Sequence, residues 1–198
     1  SEGAWIFTRN GDAWAQQGNK LVGTGAAGSA RQGMAVALSA DGNTAIVGGP
    51  ADNSNIGAAW IFTRTGGVWT QQGKKLVGSA AAGRARQGTS VALSADGNTA
   101  VLGGPDDPSD RARPFGVGPP GAAWVFTRTG AVWMQEGQKL VASAAAGTAR
   151  QGTSVALSAD GNIAVLGGLA NDGGIGAVTA LLRRDEIGHR TEAIDAFG

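Results

Sequence analysis

Cysteine and tyrosine are absent from the 198 residues, and histidine occurs once, at His189. Without cysteine there is no disulfide framework, no thiolate metal site and no cysteine nucleophile. A single histidine excludes multi-histidine metal centres. Charge is scarce as well: 16 basic and 15 acidic residues leave a formal net charge of +1, which gives no electrostatic footprint for nucleic acid or an anionic membrane. No window holds 18 consecutive apolar residues, so no membrane insertion is expected. The opening Ser1-Glu2-Gly3-Ala4-Trp5 has neither the basic start nor the apolar stretch of a secretory leader. What remains is a chain sized for one domain or a piece of one, 42% apolar, carrying 35 glycines and six tryptophans.

The glycines belong to a repeat. Residues 58–104 match residues 122–168 at 39 of 47 positions, and residues 3–49 match 58–104 at 34 of 47. Length changes fall between copies. Trp5, Trp60 and Trp124 are 55 and 64 residues apart, and the extra nine residues lie in the Pro-, Asp- and Arg-rich stretch 105–120, a surface loop by composition. A fourth copy begins at Gly176-Ala177-Val178 and departs from the pattern at Thr179. The stretch 179–198 has no counterpart and reads as weakly helical.

Within one copy the apolar period is two. Trp60, Phe62 and Arg64 fall on one face of a strand, and Ala59, Ile61 and Thr63 on the other. Thr65-Gly66-Gly67 is a turn, and Val68-Trp69-Thr70-Gln71 resumes the alternation. Further on, Ser90-Val91-Ala92-Leu93 and Thr99-Ala100-Val101-Leu102 flank Ala95-Asp96-Gly97-Asn98, where Asp-Gly predicts a hairpin with a type I′ turn. Four short strands per period of 50 to 60 residues, with glycine at the strand ends, describe an all-β, β-propeller-type array of four-stranded antiparallel blades, incomplete at about three repeats. The predicted division is a half blade over 1–27, a blade over 28–82, a blade over 83–146 with an inserted loop at 105–120, a half blade over 147–178 and a non-repeat tail over 179–198. Propellers close with about four to eight blades. The expectation is therefore a fragment of a longer protein, or chains that self-associate through incomplete blades.

The run from Gln87-Gly88-Thr89-Ser90-Val91-Ala92-Leu93 through Ala100-Val101-Leu102-Gly103-Gly104-Pro105 to Gly121-Ala122-Ala123-Trp124-Val125-Phe126 resembles the FG-GAP repeat of the bacterial and integrin-α type. The resemblance covers residues 1–178. It implies a seven-bladed propeller, extracellular or at the cell surface, serving adhesion or recognition of a protein or glycan ligand. The phenylalanine of the name motif is replaced by Gln32, Gln87 and Gln151, and the GAP triplet by Gly-Gly-Pro or Gly-Gly-Leu. Calcium binding is not carried over. The Ser-Ala-Asp-Gly-Asn connection offers one carboxylate, whereas calcium takes about six to eight oxygen ligands.

Asp41, Asp96 and Asp160 recur in every copy and are read as structural turn residues. The recurring Arg31, Arg86 and Arg150, and Arg9, Arg64 and Arg128, are read as blade-to-blade contacts. The tryptophan pairs Trp5 with Trp14, Trp60 with Trp69, and Trp124 with Trp133 are read as packing between blades, with stacking on carbohydrate as the sharper alternative. Gly23-Thr24-Gly25-Ala26-Ala27-Gly28 fits a dinucleotide fingerprint but lacks its βαβ setting and is not repeated. Gly88-Thr89-Ser90-Val91-Ala92 lacks the last glycine of a nucleophile elbow and a partner histidine. No catalytic, metal or cofactor residue is assigned. The candidates for ligand contact are the loop residues Asp52, Asn53, Asp106, Asp107, Asp110, Arg111, Arg113, Phe115, Asn171 and Asp172, because all three variable segments fall at one repeat position and project from one rim. The expected function is a non-enzymatic interaction or adhesion module. The alternative is a glycan hydrolase or lyase using rim-loop carboxylates.

Overall fold

The computed structural model describes residues 2–108, 118–142, 149–171, 175–182 and 194–195. Strands β1 (Phe7–Asn10) and β2 (Ala13–Gln16) form a two-stranded antiparallel sheet. Three four-stranded antiparallel meanders follow. The first is β3 (Ala35–Leu38), β4 (Thr44–Gly49), β5 (Ala58–Thr65) and β6 (Val68–Gln71). The second is β7 (Ser90–Leu93), β8 (Thr99–Gly104), β9 (Ala122–Thr129) and β10 (Val132–Gln135). The third is β11 (Ser154–Leu157), β12 (Ile163–Asn171), β13 (Ile175–Leu182) and β14 (Ile194–Asp195). A short helical turn, α1 (Asp52–Asn55), is the one helix among the described residues, and it is too short to cross a membrane.

The sheets are propeller-type blades because their two faces are both apolar and each face meets a different neighbour. Trp60 and Phe62 point with Ala45 and Val47 toward Leu21, Ala30, Ala4 and Ile6 of the preceding repeat. Ile46, Ala59 and Ile61 point the other way, onto Val91, Leu102, Trp124 and Phe126 of the next. Val101 and Ala123 then meet Ala164 and Leu166. The first strands β3, β7 and β11 lie one against the next at the inner edge. Registers repeat with the sequence: Val47 opposes Trp60 as Leu102 opposes Trp124. Both rings are fully buried, which at about 25 cal/mol per Å² and about 150–250 Å² per ring stabilises each seat by roughly 4–6 kcal/mol. They lie on glycine. A Cβ at Gly23 or Gly49 would collide with the Trp60 ring, and one at Gly78 or Gly104 with Trp124.

The inner hairpins form where Asp-Gly predicts them, with a different turn. Gly42 has φ 65° but Asp41 is not left-handed, and the Gly42 amide donates to the Ser39 carbonyl at 3.0 Å, closing a four-residue turn ahead of a left-handed glycine. The side chains explain the change from type I′. Asp41 accepts from Ser39 Oγ at 2.5 Å, from the Asn43 amide at 2.9 Å and from Asn43 Nδ2 at 3.0 Å, while Ser39 Oγ accepts from the Thr44 amide at 2.9 Å. Asp96 and Asp160 make the same bonds. The Ser39 hydroxyl, then Asn43, hold the Asp41 carboxyl down at about 2, and their counterparts lower Asp96 and Asp160.

Two expectations are corrected. The last repeat is not a half blade ending at 178: β13 runs to Leu182 and pairs with Ile194–Asp195, because apolar, strand-compatible residues continue through Ala180-Leu181-Leu182 after the resemblance between copies stops. Nor do all the tryptophans pack between blades. Trp5, just before β1, and Trp14, on β2, are exposed, since among the described residues this sheet has no inner strands and no preceding blade.

Candidate partner-contact site

The segments that differ between copies leave the ends of β4, β8 and β12 and enter β5, β9 and β13, so they share one end of the blades. In the first, Asn53, Ser54 and Asn55 have φ of 47°, 57° and 73°. This left-handed turn costs roughly 1–2 kcal/mol per residue. Its anchor is Asp52, whose buried carboxylate accepts from the Ala27 amide at 2.7 Å and from Lys75 Nζ at 2.5 Å. Asp107 holds the same position in the second segment, accepting from the Ala82 amide at 3.1 Å and Lys139 Nζ at 2.8 Å. Lys139 Nζ also donates to the Ala80 carbonyl at 2.8 Å. Asp52 and Asp107, expected as ligand contacts, are therefore internal staples: a carboxylate brought this far from water is held only by a paired cation and backbone donors. Asn53 does stand in solvent.

Asp106 is different. Its half-buried carboxylate accepts from Arg86 Nη1 at 3.3 Å and from Arg150 Nη2 at 2.7 Å, two arginines from successive repeats. Both arginines are left-handed, with φ 57° and 48°, and each precedes a buried glutamine. Their backbones are tied across blades, the Arg86 amide to the Asn55 carbonyl at 2.9 Å and the Arg150 amide to the Pro119 carbonyl at 3.3 Å. The blade-to-blade expectation for these arginines agrees with these contacts. Two guanidiniums share one carboxylate, so the cluster carries a formal excess of one positive charge, and Arg150 Nε is buried with no acceptor among the described atoms. It is a donor-rich patch, fit to receive a carboxylate, sulfate, phosphate or sugar hydroxyl. The first copy has Ala51 where the second has Asp106, and Arg31 there is exposed.

Asp110, Arg111, Arg113, Phe115 and Asp172 lie outside the described residues, and Asn171 is placed by its backbone in β12. Arg64 and Arg128 stack on Trp69 and Trp133, with centroid distances of 5.7 and 5.4 Å. Gln17 accepts from both Arg64 and Trp69, and Gln72 from both Arg128 and Trp133, so each pair is bolted to the preceding repeat. The sequence reading missed Gln87, fully buried, whose amide accepts from the Gly78 amide at 2.5 Å and donates to its carbonyl at 3.0 Å, as Gln32 does with Gly23. Its recurrence was the available signal.

The fold thus defines the class: a β-propeller-type array of four-stranded antiparallel blades. No family model matches the chain, and no curated protein matches its sequence. Among solved structures it is similar to a Bacteroides uniformis protein described as a "putative 6-phosphogluconolactonase", with a TM-score of 0.60 and 14% identity, over 96% of this chain and 49% of that one. The chain spans about half the length of that structure. At this identity the likeness is one of fold. It nevertheless corrects the expectation of a non-enzymatic protein, because the same architecture carries a protein described as an enzyme.

Proposed function

We propose that the chain is a stretch of FG-GAP-like propeller blades from a cell-surface or extracellular protein, and that its varied rim segments bind a protein or glycan partner. One observation carries this reading. The recurring aspartates of the inner turns and the recurring glutamines are consumed by the scaffold, whereas Asp106, on a segment that varies, gathers the recurring Arg86 and Arg150 into a partly exposed cluster with one more cation than anion. Such a cluster selects anionic or hydroxyl-rich surfaces. The test is binding of the chain to an immobilised panel of neutral, uronate-containing and sulfated oligosaccharides. Arg150→Ala is expected to weaken capture of the acidic members at least tenfold and to flatten its salt dependence; equal binding by both proteins would refute the reading.

The fold likeness favours a second reading, in which a rim of this architecture turns over a sugar derivative. Among the described residues Asp106 is the one rim-segment carboxylate reachable from solvent, since Asp52 and Asp107 are sealed. Hydrolysis of a sugar lactone or a glycosidic bond by the purified chain, lost in Asp106→Asn, would favour it.

A further inference from the structure

Asp106 holds a place that the repeat furnishes and that one copy fills. The arginines on either side of it, Arg86 and Arg150, recur in every copy as Arg31, Arg86 and Arg150. The backbones of Arg86 and Arg150 are left-handed and tied across the blades, which aims both side chains. The carboxylate does not recur: by repeat position its counterparts are Ala51 and Ala170. The seat therefore belongs to the scaffold, and its occupant to a segment that varies.

The first copy shows that this segment keeps its path without the carboxylate. The Ala51 amide donates to the Ala30 carbonyl at 3.1 Å, as the Asp106 amide does to the Ala85 carbonyl at 3.3 Å. The buried anchor comes in both from the next residue, Asp52 or Asp107. What the Asp106 carboxylate adds is the bridge alone, 2.7 Å to Arg150 and 3.3 Å to Arg86. That bridge is open to solvent, with the side chains of Asp106, Arg86 and Arg150 exposed by 25%, 31% and 38%. An ion pair this open contributes little, so a second carboxylate can compete for the same donors.

We infer that Asp106 is an internal stand-in for the carboxylate of an acidic sugar, and that such a ligand binds by taking its place between Arg86 and Arg150. The inference rests on the reading of this cluster as the contact site. Each guanidinium is a fork of N–H donors, and Asp106 accepts one bond from each. A uronate carboxylate takes over those two bonds while its ring hydroxyls accept from the N–H groups that remain, which a lone acidic side chain does not match. Asp106 thereby sets specificity: a neutral sugar brings no charge to displace it, and an acidic one does.

The test compares Asp106→Ala and Asp106→Asn with the parent chain. Each is titrated with a uronate oligosaccharide, its neutral analogue and an oligoglutamate peptide, and read by the amide resonances of Arg86 and Arg150 and by thermal melts. Uronate is expected to bind both variants about fivefold to tenfold more tightly than the parent, with the neutral analogue unchanged. Adding Arg150→Ala is expected to abolish the gain, and melting is expected to change little, since Ala51 serves in the first copy. An equal gain for oligoglutamate would overturn the assignment to a sugar. Equal uronate binding by the parent and both variants, weakened by Arg150→Ala, would overturn the inference and leave the contact-site reading standing; binding by none of the proteins would overturn both. Variants that melt well below the parent and gain no affinity would show a structural carboxylate and overturn the inference as well.

Discussion

Replacing Gln87 by methionine probes the two hydrogen bonds that tie the chain just before β7 to Gly78. Methionine matches the volume and the number of rotatable bonds of glutamine, so packing is nearly preserved and the change isolates the amide. The glutamine is fully enclosed and satisfies both the amide and the carbonyl of Gly78. Each backbone group left without a partner away from water costs about 1–3 kcal/mol, and the added apolar burial returns about 1 kcal/mol. With two groups orphaned, the net loss is about 1–5 kcal/mol. Urea unfolding followed by tryptophan fluorescence reads it as a lower midpoint at unchanged slope. A loss under about 0.5 kcal/mol would refute the reasoning, because it would mean that Gly78 finds water or another partner. Phenylalanine, which the FG-GAP motif places here, is expected to cost more, since the ring adds volume to the same two orphaned groups.

Lys139→Met strands the buried Asp107 carboxylate and should cost about 3–5 kcal/mol in the same assay, whereas Lys139→Met with Asp107→Asn should recover most of it, because asparagine can still accept from the Ala82 amide. Gly78→Ala pushes a methyl into the Trp124 ring and is expected to cost about 1–3 kcal/mol or more, while Ala142→Gly at the corresponding place in the next repeat should cost under about 1 kcal/mol; thermal melts compare them. Asp41 is depressed from 3.8 to about 2 in the folded chain, so the stability it contributes is complete above about pH 4 and is lost as the pH falls toward 2. Asp41→Asn is expected to flatten the acid limb of the stability profile in that window, and an unchanged limb would refute the assignment.

The blades were legible because the same side chains recur at the same spacing, and recurrence reads through any single ambiguous strand. Residue roles inside the repeat were less so. Gln87 looks like a polar substitute for an aromatic, and only its two bonds to Gly78 show that it acts as an extra strand partner. Asp52 and Asp107 sit in loop-like sequence, and their burial depends on Lys75 and Lys139, which lie 23 and 32 residues further along the chain. The turn type was misread because the Ser39 hydroxyl and the Asn43 amide recruit the Asp41 side chain, so the backbone closes around a carboxylate instead of on itself. The third sheet was cut short because similarity between copies ends before strand-forming character does. The register of β12 with β13 puts Thr179 where Trp60 and Trp124 stand. Ala142 replaces Gly23 and Gly78 in that same repeat, so the glycine disappears along with the ring that required it.

The central claim is that each copy builds the same blade and that, among the described residues, the first contributes only the outer pair β1 and β2. Residue-resolved amide exchange on the full chain tests it most directly. The account predicts the slowest exchange at Ala59–Phe62 and Ala123–Phe126, strands paired on both sides, and exchange at least tenfold faster for alternate amides of Phe7–Asn10, paired on one side only. Equal protection of all three strands would contradict it.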